Sequence, residues 1–279
     1  MAIHLITDST ADLSEAQKAA WQVTVVPMGV VFGNETFLQD IDMTMAQFYA
    51  RLVSSEKLPV TTQVNPEQFA ACYAPLIAAG DEVIVLCLSA KLSGTYQSAC
   101  MAREQFPGAP IHVIDTTTVT MGAALLLQRA AHMRDAGASA REIVAEVEAA
   151  KRRTALYAII DDLTYVRKGG RLSAVGYRVG GVLHLKPIVA IQDGVVKMVG
   201  IVRSMKRAYS WLADRVVREG IDMAYWVALG HTNMPILMED VYEALRGVLT
   251  GCELLRQDVG MVVGTHAGPG AVALAYIKK

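Results

Sequence analysis

Residues 82–99 read EVIVLCLSAKLSGTYQSA, and this stretch indicates the fold class of the chain. Residues 83–88 form a continuous apolar run, which is typical of a strand that is buried on both faces of a parallel sheet. A helix is predicted to follow over residues 94–105. A buried strand that leads directly into a helix is the repeating unit of α/β proteins.

The same alternation continues through the first half of the sequence. Residues 3–7 and 111–114 are predicted strands, and a helix is predicted over residues 119–135. Strands that alternate with helices imply right-handed crossover connections and a parallel sheet. One interruption is predicted, because residues 23–32 and 35–38 have the pattern of a hairpin-like excursion.

The second half of the sequence has a different pattern. Residues 187–192 and 195–202 flank Asp193-Gly194, a pair that favours a tight β-hairpin turn. Strand pairs mixed with helices are typical of an α+β domain with a mixed sheet. We therefore predict two domains, an N-terminal α/β domain of residues 1–152 and a C-terminal α+β domain of residues 153–279. Ligand pockets favour the interface between two such domains.

Composition and charge exclude several classes of protein. The chain has 279 residues and 53% of them are hydrophobic, so we expect an ordered fold with a large core or an internal apolar cavity. Its 26 basic and 27 acidic residues predict no broad nucleic-acid-binding surface. The four cysteines form no CxxC pair, which indicates a reducing compartment. Because the sequence shows neither a signal peptide nor an apolar stretch of about 18 residues, we predict a cytoplasmic protein.

Common catalytic motifs are missing from the sequence. It has no GxxxxGK[ST] phosphate loop, no GxSxG nucleophile elbow and no HExxH zinc motif. The six histidines are scattered and do not have the spacing of metal ligands. We therefore predict no metal site and no bound cofactor.

Small polar clusters lie at predicted strand-to-helix junctions. Thr61-Thr62-Gln63 precedes a strong helix start, and Ser93-Gly94 follows the strand predicted over residues 83–88. Hydroxyl groups beside a helix N-terminus can bind a carboxylate or a phosphate. His266 lies in a third cluster, the glycine-rich segment of residues 264–270. Ordinary helix capping and turn formation are the alternative for the first two clusters, and a structural hydrogen bond is the alternative for His266.

Basic side chains form two clusters in the second half. Residues 167–173 carry three cations around two glycines, and Arg203 begins a second cluster just after the predicted hairpin. Such charge could bind an acidic partner or a phosphate. The alternative is a solvated surface.

In their order and spacing, these motifs resemble the DegV family of bacterial fatty-acid-binding proteins, which includes the lipid-carrier subunits of fatty acid kinase. The resemblance extends from the first predicted strand to the C-terminus. The matching segments are TDSTADL (7–13), TTQ (61–63), LSGTYQSA (92–99), GGRLS (169–173), KP (186–187) and GTHAGPG (264–270). One departure concerns the second segment, where the family usually reads Thr-Ser-Gln-Pro and this chain reads Thr61-Thr62-Gln63-Val64.

This resemblance implies a lipid carrier that is not itself an enzyme. A long-chain fatty acid would lie in a tunnel between the two domains. The residues implied to bind its carboxylate are Thr61, Thr62, Ser93, Gly94 and His266. Arg171 and Arg203 would engage a separate kinase subunit, which would carry ATP and form an acyl phosphate for phospholipid synthesis. The implied partners are therefore the fatty acid and the kinase. Transient contact with a membrane is compatible with this role, and no nucleic-acid partner is implied.

Two other functions stay open at this level. Ser93 as a nucleophile and His266 as its base would make an acyl hydrolase. His266 could instead accept phosphate, as in a phosphotransfer protein. We favour the carrier because no nucleophile elbow surrounds Ser93 and no carboxylate that would orient His266 can be identified.

Overall fold

The computed structural model describes residues 1–172 and 185–279. Within these ranges the chain forms thirteen strands, ten α-helices and one short 3-10 helix (Ser9–Ala11), and none of these helices has the length and apolar composition needed to cross a membrane. The strands are β1 (Ile3–Asp8), β2 (Val23–Val26), β3 (Gly29–Phe32), β4 (Glu35–Leu38), β5 (Val60–Thr61), β6 (Glu82–Cys87), β7 (Ile111–Asp115), β8 (Thr154–Ile159), β9 (Lys186–Gln192), β10 (Val195–Val202), β11 (Val227–His231), β12 (Leu254–Asp258) and β13 (Val272–Ile277). The helices are α1 (Glu15–Trp21), α2 (Met45–Ser54), α3 (Pro66–Ala78), α4 (Thr95–Glu104), α5 (Met121–Asp135), α6 (Ala140–Lys151), α7 (Leu163–Lys168), α8 (Met205–Glu219), α9 (Pro235–Leu245) and α10 (Met261–Ala267).

The N-terminal sheet is parallel, with the strand order β2-β1-β6-β7, as predicted for an α/β protein. Alternate side chains of the central strand β6 pack on opposite faces of this sheet. Ile84 and Leu86 belong to a buried cluster with α5 and α6, whereas Val83 and Val85 belong to a cluster with α3 and α4. Burial on both faces explains why residues 83–87 of β6 are all apolar.

The second sheet is mixed, as predicted, and has the strand order β10-β9-β8-β13-β11-β12. Its pairs are antiparallel except for β11 and β12, which run parallel. Helix α5 lies between the two sheets, because its side chains share one cluster with Leu5 and Ile84 of the first sheet and with Ala228 and Ala275 of the second. The predicted domain division after residue 152 falls between α6 and β8 and stays a prediction.

The predicted excursion of residues 23–38 has a different structure in detail. Pro27 divides it, because proline lacks the N–H that a continuing strand needs. β2 joins the parallel sheet beside β1, while β3 and β4 form an antiparallel hairpin around Gly33-Asn34. β5 pairs with the other edge of β3 and completes a small antiparallel sheet that ends in Thr61.

Candidate functional site

The carboxyl ends of β1 and β6 form a crevice at the edge of the parallel sheet. β1 pairs with β2 on one side and with β6 on the other, so the strand order reverses at β1. Ligands of open α/β sheets bind at such a switch point. Asp8 connects the two strand ends, since its carboxylate accepts the N–H groups of Thr10 at 3.1 Å and of Leu88 at 2.8 Å. Burial raises the pKa of Asp8.

A cavity at this crevice brings together most of the predicted site residues. Six of them line it: Thr61, Thr62, Ser93, Gly94, Arg171 and His266. Thr10 and Leu88 line the same cavity from the ends of β1 and β6. Arg203 is not part of this lining, because it is exposed and follows β10. We call this space the polar cavity.

The two threonines make different hydrogen bonds. Thr62 is bound to the small sheet, where its Oγ1 accepts the Gly29 N–H at 3.0 Å and its own N–H donates to the Gly29 carbonyl at 2.9 Å. Thr61 Oγ1 instead lies 3.1 Å from His266 Nε2. The Thr61 hydroxyl is therefore paired with another side chain of the cavity, whereas the Thr62 hydroxyl is engaged by the backbone.

Ser93 and Gly94 form the turn that leads into α4. Ser93 Oγ accepts the N–H of Thr95 at 3.3 Å and lies 3.0 Å from Thr95 Oγ1. The Gln63 side chain lies closely over Gly94, because a Cβ atom there would lie 2.2 Å from Gln63 Oε1. Gln63 also lines the polar cavity, although it was not among the predicted site residues. Its position directly after the two threonines was the signal available in the sequence.

His266 lies in a helix, although the segment of residues 264–270 is rich in glycine. It occupies the last turn of α10. Gly264 lets α10 pack closely on α2, since a Cβ atom there would lie 2.6 Å from Tyr49 Oη. Burial, and after it the positive charge of Arg171, lowers the pKa of His266 to about 4. The imidazole is therefore neutral at pH 7.

Arg171 brings a positive charge to the edge of the polar cavity. Its Nη1 donates to the Gly169 carbonyl at 2.8 Å, and its Nε donates to the Leu92 carbonyl at 3.4 Å. These bonds hold the guanidinium against the segment that carries Ser93. Ser173, the last residue of the predicted basic cluster, lies outside the described residues.

A second cavity lies beside the first, against one face of the mixed sheet. The two cavities share five wall residues, which are Val119, Arg171, Val196, Val263 and His266. The other walls are chiefly apolar and include Leu156, Ile160, Val189 and Ala273. We call this space the apolar cavity. A polar compartment beside an apolar one suits a ligand with a charged head group and a hydrocarbon chain.

The polar side chains are arranged for binding. Ser93 Oγ pairs with Thr95 and His266 Nε2 pairs with Thr61, so the two residues do not form the hydrogen-bonded nucleophile–base pair of a hydrolase. Within residues 1–172 and 185–279, no three His, Cys, Asp or Glu side chains cluster as metal ligands. Hydroxyl groups, a neutral imidazole and a guanidinium around one space form a donor set that suits a carboxylate.

Comparisons with known proteins match the chain over its whole length. The family model described as "Uncharacterised protein, DegV family" matches residues 2–279. A DegV domain-containing protein from Caldanaerobacter subterraneus subsp. tengcongensis is 35% identical over 278 residues, which cover 99% of both chains. The structure of a DegV family protein from Thermus thermophilus, described by its fatty acid binding, has a TM-score of 0.92 at 28% identity and covers 100% of both chains. DegV from Bacillus subtilis, described as a fatty acid binding protein, has a TM-score of 0.87 at 28% identity with the same coverage.

Proposed function

The chain belongs to the DegV family, as its motifs predicted, and we propose on this basis that it binds a long-chain fatty acid. The carboxylate occupies the polar cavity and the hydrocarbon chain occupies the apolar cavity. The observation that carries this proposal is that the two cavities lie directly beside each other and have five lining residues in common, which suits a ligand with a charged head group and a hydrocarbon chain. The relatives from Thermus thermophilus and Bacillus subtilis, both described as binding fatty acid, support it.

Burial of the hydrocarbon chain supplies most of the affinity in this proposal. Each methylene that leaves water contributes about 0.8 kcal/mol, so about 15 methylenes contribute on the order of 12 kcal/mol. The loss of translational freedom and the ordering of the chain offset much of this free energy. The polar groups therefore serve mainly to orient the ligand.

The carboxylate needs hydrogen-bond donors around it, because it leaves water when the ligand enters. We assign this role to Thr61, Ser93 and His266, together with the backbone at Gly94. Thr62 positions the segment through its bonds to the small sheet. Neutral His266 contributes one N–H, and Arg171 adds positive charge at the edge of the cavity.

In the second part of the proposal, the chain presents the carboxylate to a separate kinase subunit and is not itself an enzyme. Gln63 and Arg171 are exposed and line the polar cavity, so a partner can approach the carboxylate from their side. The kinase transfers the γ-phosphoryl group of ATP to a carboxylate oxygen and releases ADP. The resulting acyl phosphate is an activated acyl donor for phospholipid synthesis. Arg171 and the exposed Arg203 contact the kinase.

Native mass spectrometry of the purified chain tests the lipid assignment. We expect an adduct that extracts into organic solvent as a free fatty acid. A chain that is isolated empty and takes up no added fatty acid would contradict the proposal.

The kinase step is tested with the loaded chain, ATP and the kinase subunit of a bacterial fatty acid kinase. We expect an acyl phosphate, which hydroxylamine traps as the hydroxamate. Hydroxamate that forms without the kinase subunit would show that the chain is itself an enzyme. If no hydroxamate formed in the complete mixture, the carrier role would be contradicted and the lipid assignment would remain.

A further inference from the structure

The apolar cavity extends across the mixed sheet from β10 to β11. Val196 of β10 lies where the two cavities meet. From there the wall passes over β9, β8 and β13 to Gly230 of β11, which is four strand positions away. Adjacent strands are about 4.8 Å apart, so this distance is about 19 Å. None of the described lining residues belongs to the next strand, β12, and Val259, which directly follows β12, is the lining residue beyond β11.

The floor of this path is one row of residues across the sheet. Val189, Ala158, Ala273 and Gly230 are direct partners on four neighbouring strands. All four line the apolar cavity. The floor therefore has short side chains along its inner part and no side chain at its end, at Gly230.

The side chain of Met121 fills the space above Gly230. Met121 is the first residue of α5 and is 1% exposed. A Cβ atom on Gly230 would lie 2.6 Å from Met121 Sδ and 3.0 Å from Met121 Cε. Because both residues line the apolar cavity, the thioether forms part of the wall at its inner end, together with Val259.

We infer that Met121, packed on Gly230, sets the longest acyl chain that the cavity accepts, an inference that rests on the fatty-acid function proposed above. A fatty acid whose carboxylate is held in the polar cavity must place its methyl end at the far wall. The position of that wall then determines how many methylenes leave water. The unbranched thioether of Met121 fills irregular space well, and Gly230 provides the room in which it lies.

Two substitutions move this wall in opposite directions. Met121→Ala removes the thioether and lengthens the cavity, so a longer acid gains about fourfold in relative affinity for each additional methylene that it buries. Gly230→Ala places a methyl group 2.6 Å from the present position of Met121 Sδ, so we expect the thioether to move into the cavity. The preferred acid then becomes shorter, because a longer one loses about the same factor for each methylene that no longer fits.

The experiment equilibrates each variant with an equimolar mixture of saturated fatty acids of graded length and identifies the bound acid by native mass spectrometry. Met238→Ala and Gly247→Ala are the matched controls, since neither residue lines the polar or the apolar cavity. Met238 is buried in a different cluster, and a Cβ atom at Gly247 meets nothing within 4 Å. Thermal melting establishes that each variant is folded.

We expect longer bound acids for Met121→Ala, shorter ones for Gly230→Ala and the original distribution for both controls. Since the two substitutions act in opposite senses, either folded variant decides the question. Bound acids of unchanged length in a folded cavity variant would overturn the inference and leave the fatty-acid function intact. If the unsubstituted chain bound no acid at all, the fatty-acid function itself would fail, and this inference with it.

Discussion

Thr61 Oγ1 lies 3.1 Å from His266 Nε2, although 205 positions of sequence separate the two residues. The contact joins the small antiparallel sheet to α10 at the polar cavity. Burial keeps the His266 imidazole neutral at pH 7, so one hydrogen is shared in this contact. A carboxylate that enters the cavity can replace this contact and accept a hydrogen bond from each side chain, because the hydroxyl and the imidazole each carry one donor hydrogen.

Thr61→Val is expected to weaken fatty acid binding by about 10- to 100-fold. The substitution removes one donor and keeps the shape of the side chain, and a hydrogen bond to a charged group contributes about 1.5–3 kcal/mol. Isothermal titration calorimetry measures the change. Thr250→Val is the matched control, because Thr250 is exposed after α9 and lines neither cavity. Equal affinities for the two variants would show that Thr61 does not bind the carboxylate.

Gly94→Ala is expected to displace Gln63 and weaken binding without unfolding the chain. The new Cβ atom would lie 2.2 Å from Gln63 Oε1, and the exposed Gln63 side chain can swing into solvent. Gln63→Ala removes the atoms that clash, so the double variant should bind no more weakly than Gln63→Ala alone. The affinities of the unsubstituted chain, the two single variants and the double variant give the coupling free energy between Gly94 and Gln63. Strict additivity of the two effects would mean that Gly94 does not act through Gln63.

Much of the fold could be predicted because its signal is local. The apolar run of β6 predicts burial on both faces of the strand, and this prediction needs only the sequence of the segment itself. β5 gives no such signal, since a strand of two residues, Val60–Thr61, has no measurable periodicity. Its existence depends on the pairing of Val31 with Val60, which the sequence alone does not reveal.

The candidate site was predictable to the extent that its residues lie in short motifs at strand and helix ends. Thr61 and Ser93 could be identified in this way, and the structure places both at one cavity. A helix at His266 was not predicted, because a glycine-rich composition does not favour one, whereas in the structure Gly264 allows a packing contact with a distant tyrosine. Gln63 was not among the predicted site residues, although it directly follows the two threonines in the same motif and lines the polar cavity.

Arg203→Glu is expected to lower the rate of acyl phosphate formation at limiting kinase by about tenfold and to leave fatty acid affinity unchanged. Arg203 is exposed and lines neither cavity. Arg171→Glu should reduce both quantities, because it also places a negative charge at the polar cavity and repels the carboxylate. Calorimetry measures affinity and hydroxamate trapping measures the rate.

The control for these charge reversals is Arg246→Glu. Arg246 has a 72% exposed side chain after α9 and should leave both the affinity and the rate unchanged. A normal kinase rate for Arg203→Glu would exclude Arg203 from the kinase contact.

Asp12 is a buried carboxylate between the two halves of the chain. Gln39 Nε2 donates to its Oδ1 at 3.1 Å, and Gln257 Nε2 of β12 donates to its backbone carbonyl at 3.1 Å. Burial raises the pKa of Asp12 from 3.8 to about 7. A carboxyl group with a raised pKa in the folded state favours folding when it is protonated. Its contribution to stability is therefore complete below about pH 4 and is lost as the pH rises through about 7.

Asp12→Asn is accordingly expected to remove this pH dependence. Asparagine is neutral at every pH and tolerates the left-handed backbone of this position, where φ is 53°. Relative to the variant, the unsubstituted chain should lose about 4 kcal/mol of unfolding free energy between about pH 4 and about pH 8, as urea unfolding at stepped pH would measure. Asp214→Asn removes an exposed carboxylate and serves as the control. If the stability difference between Asp12→Asn and the unsubstituted chain were the same at both ends of this range, Asp12 would not titrate near neutral pH.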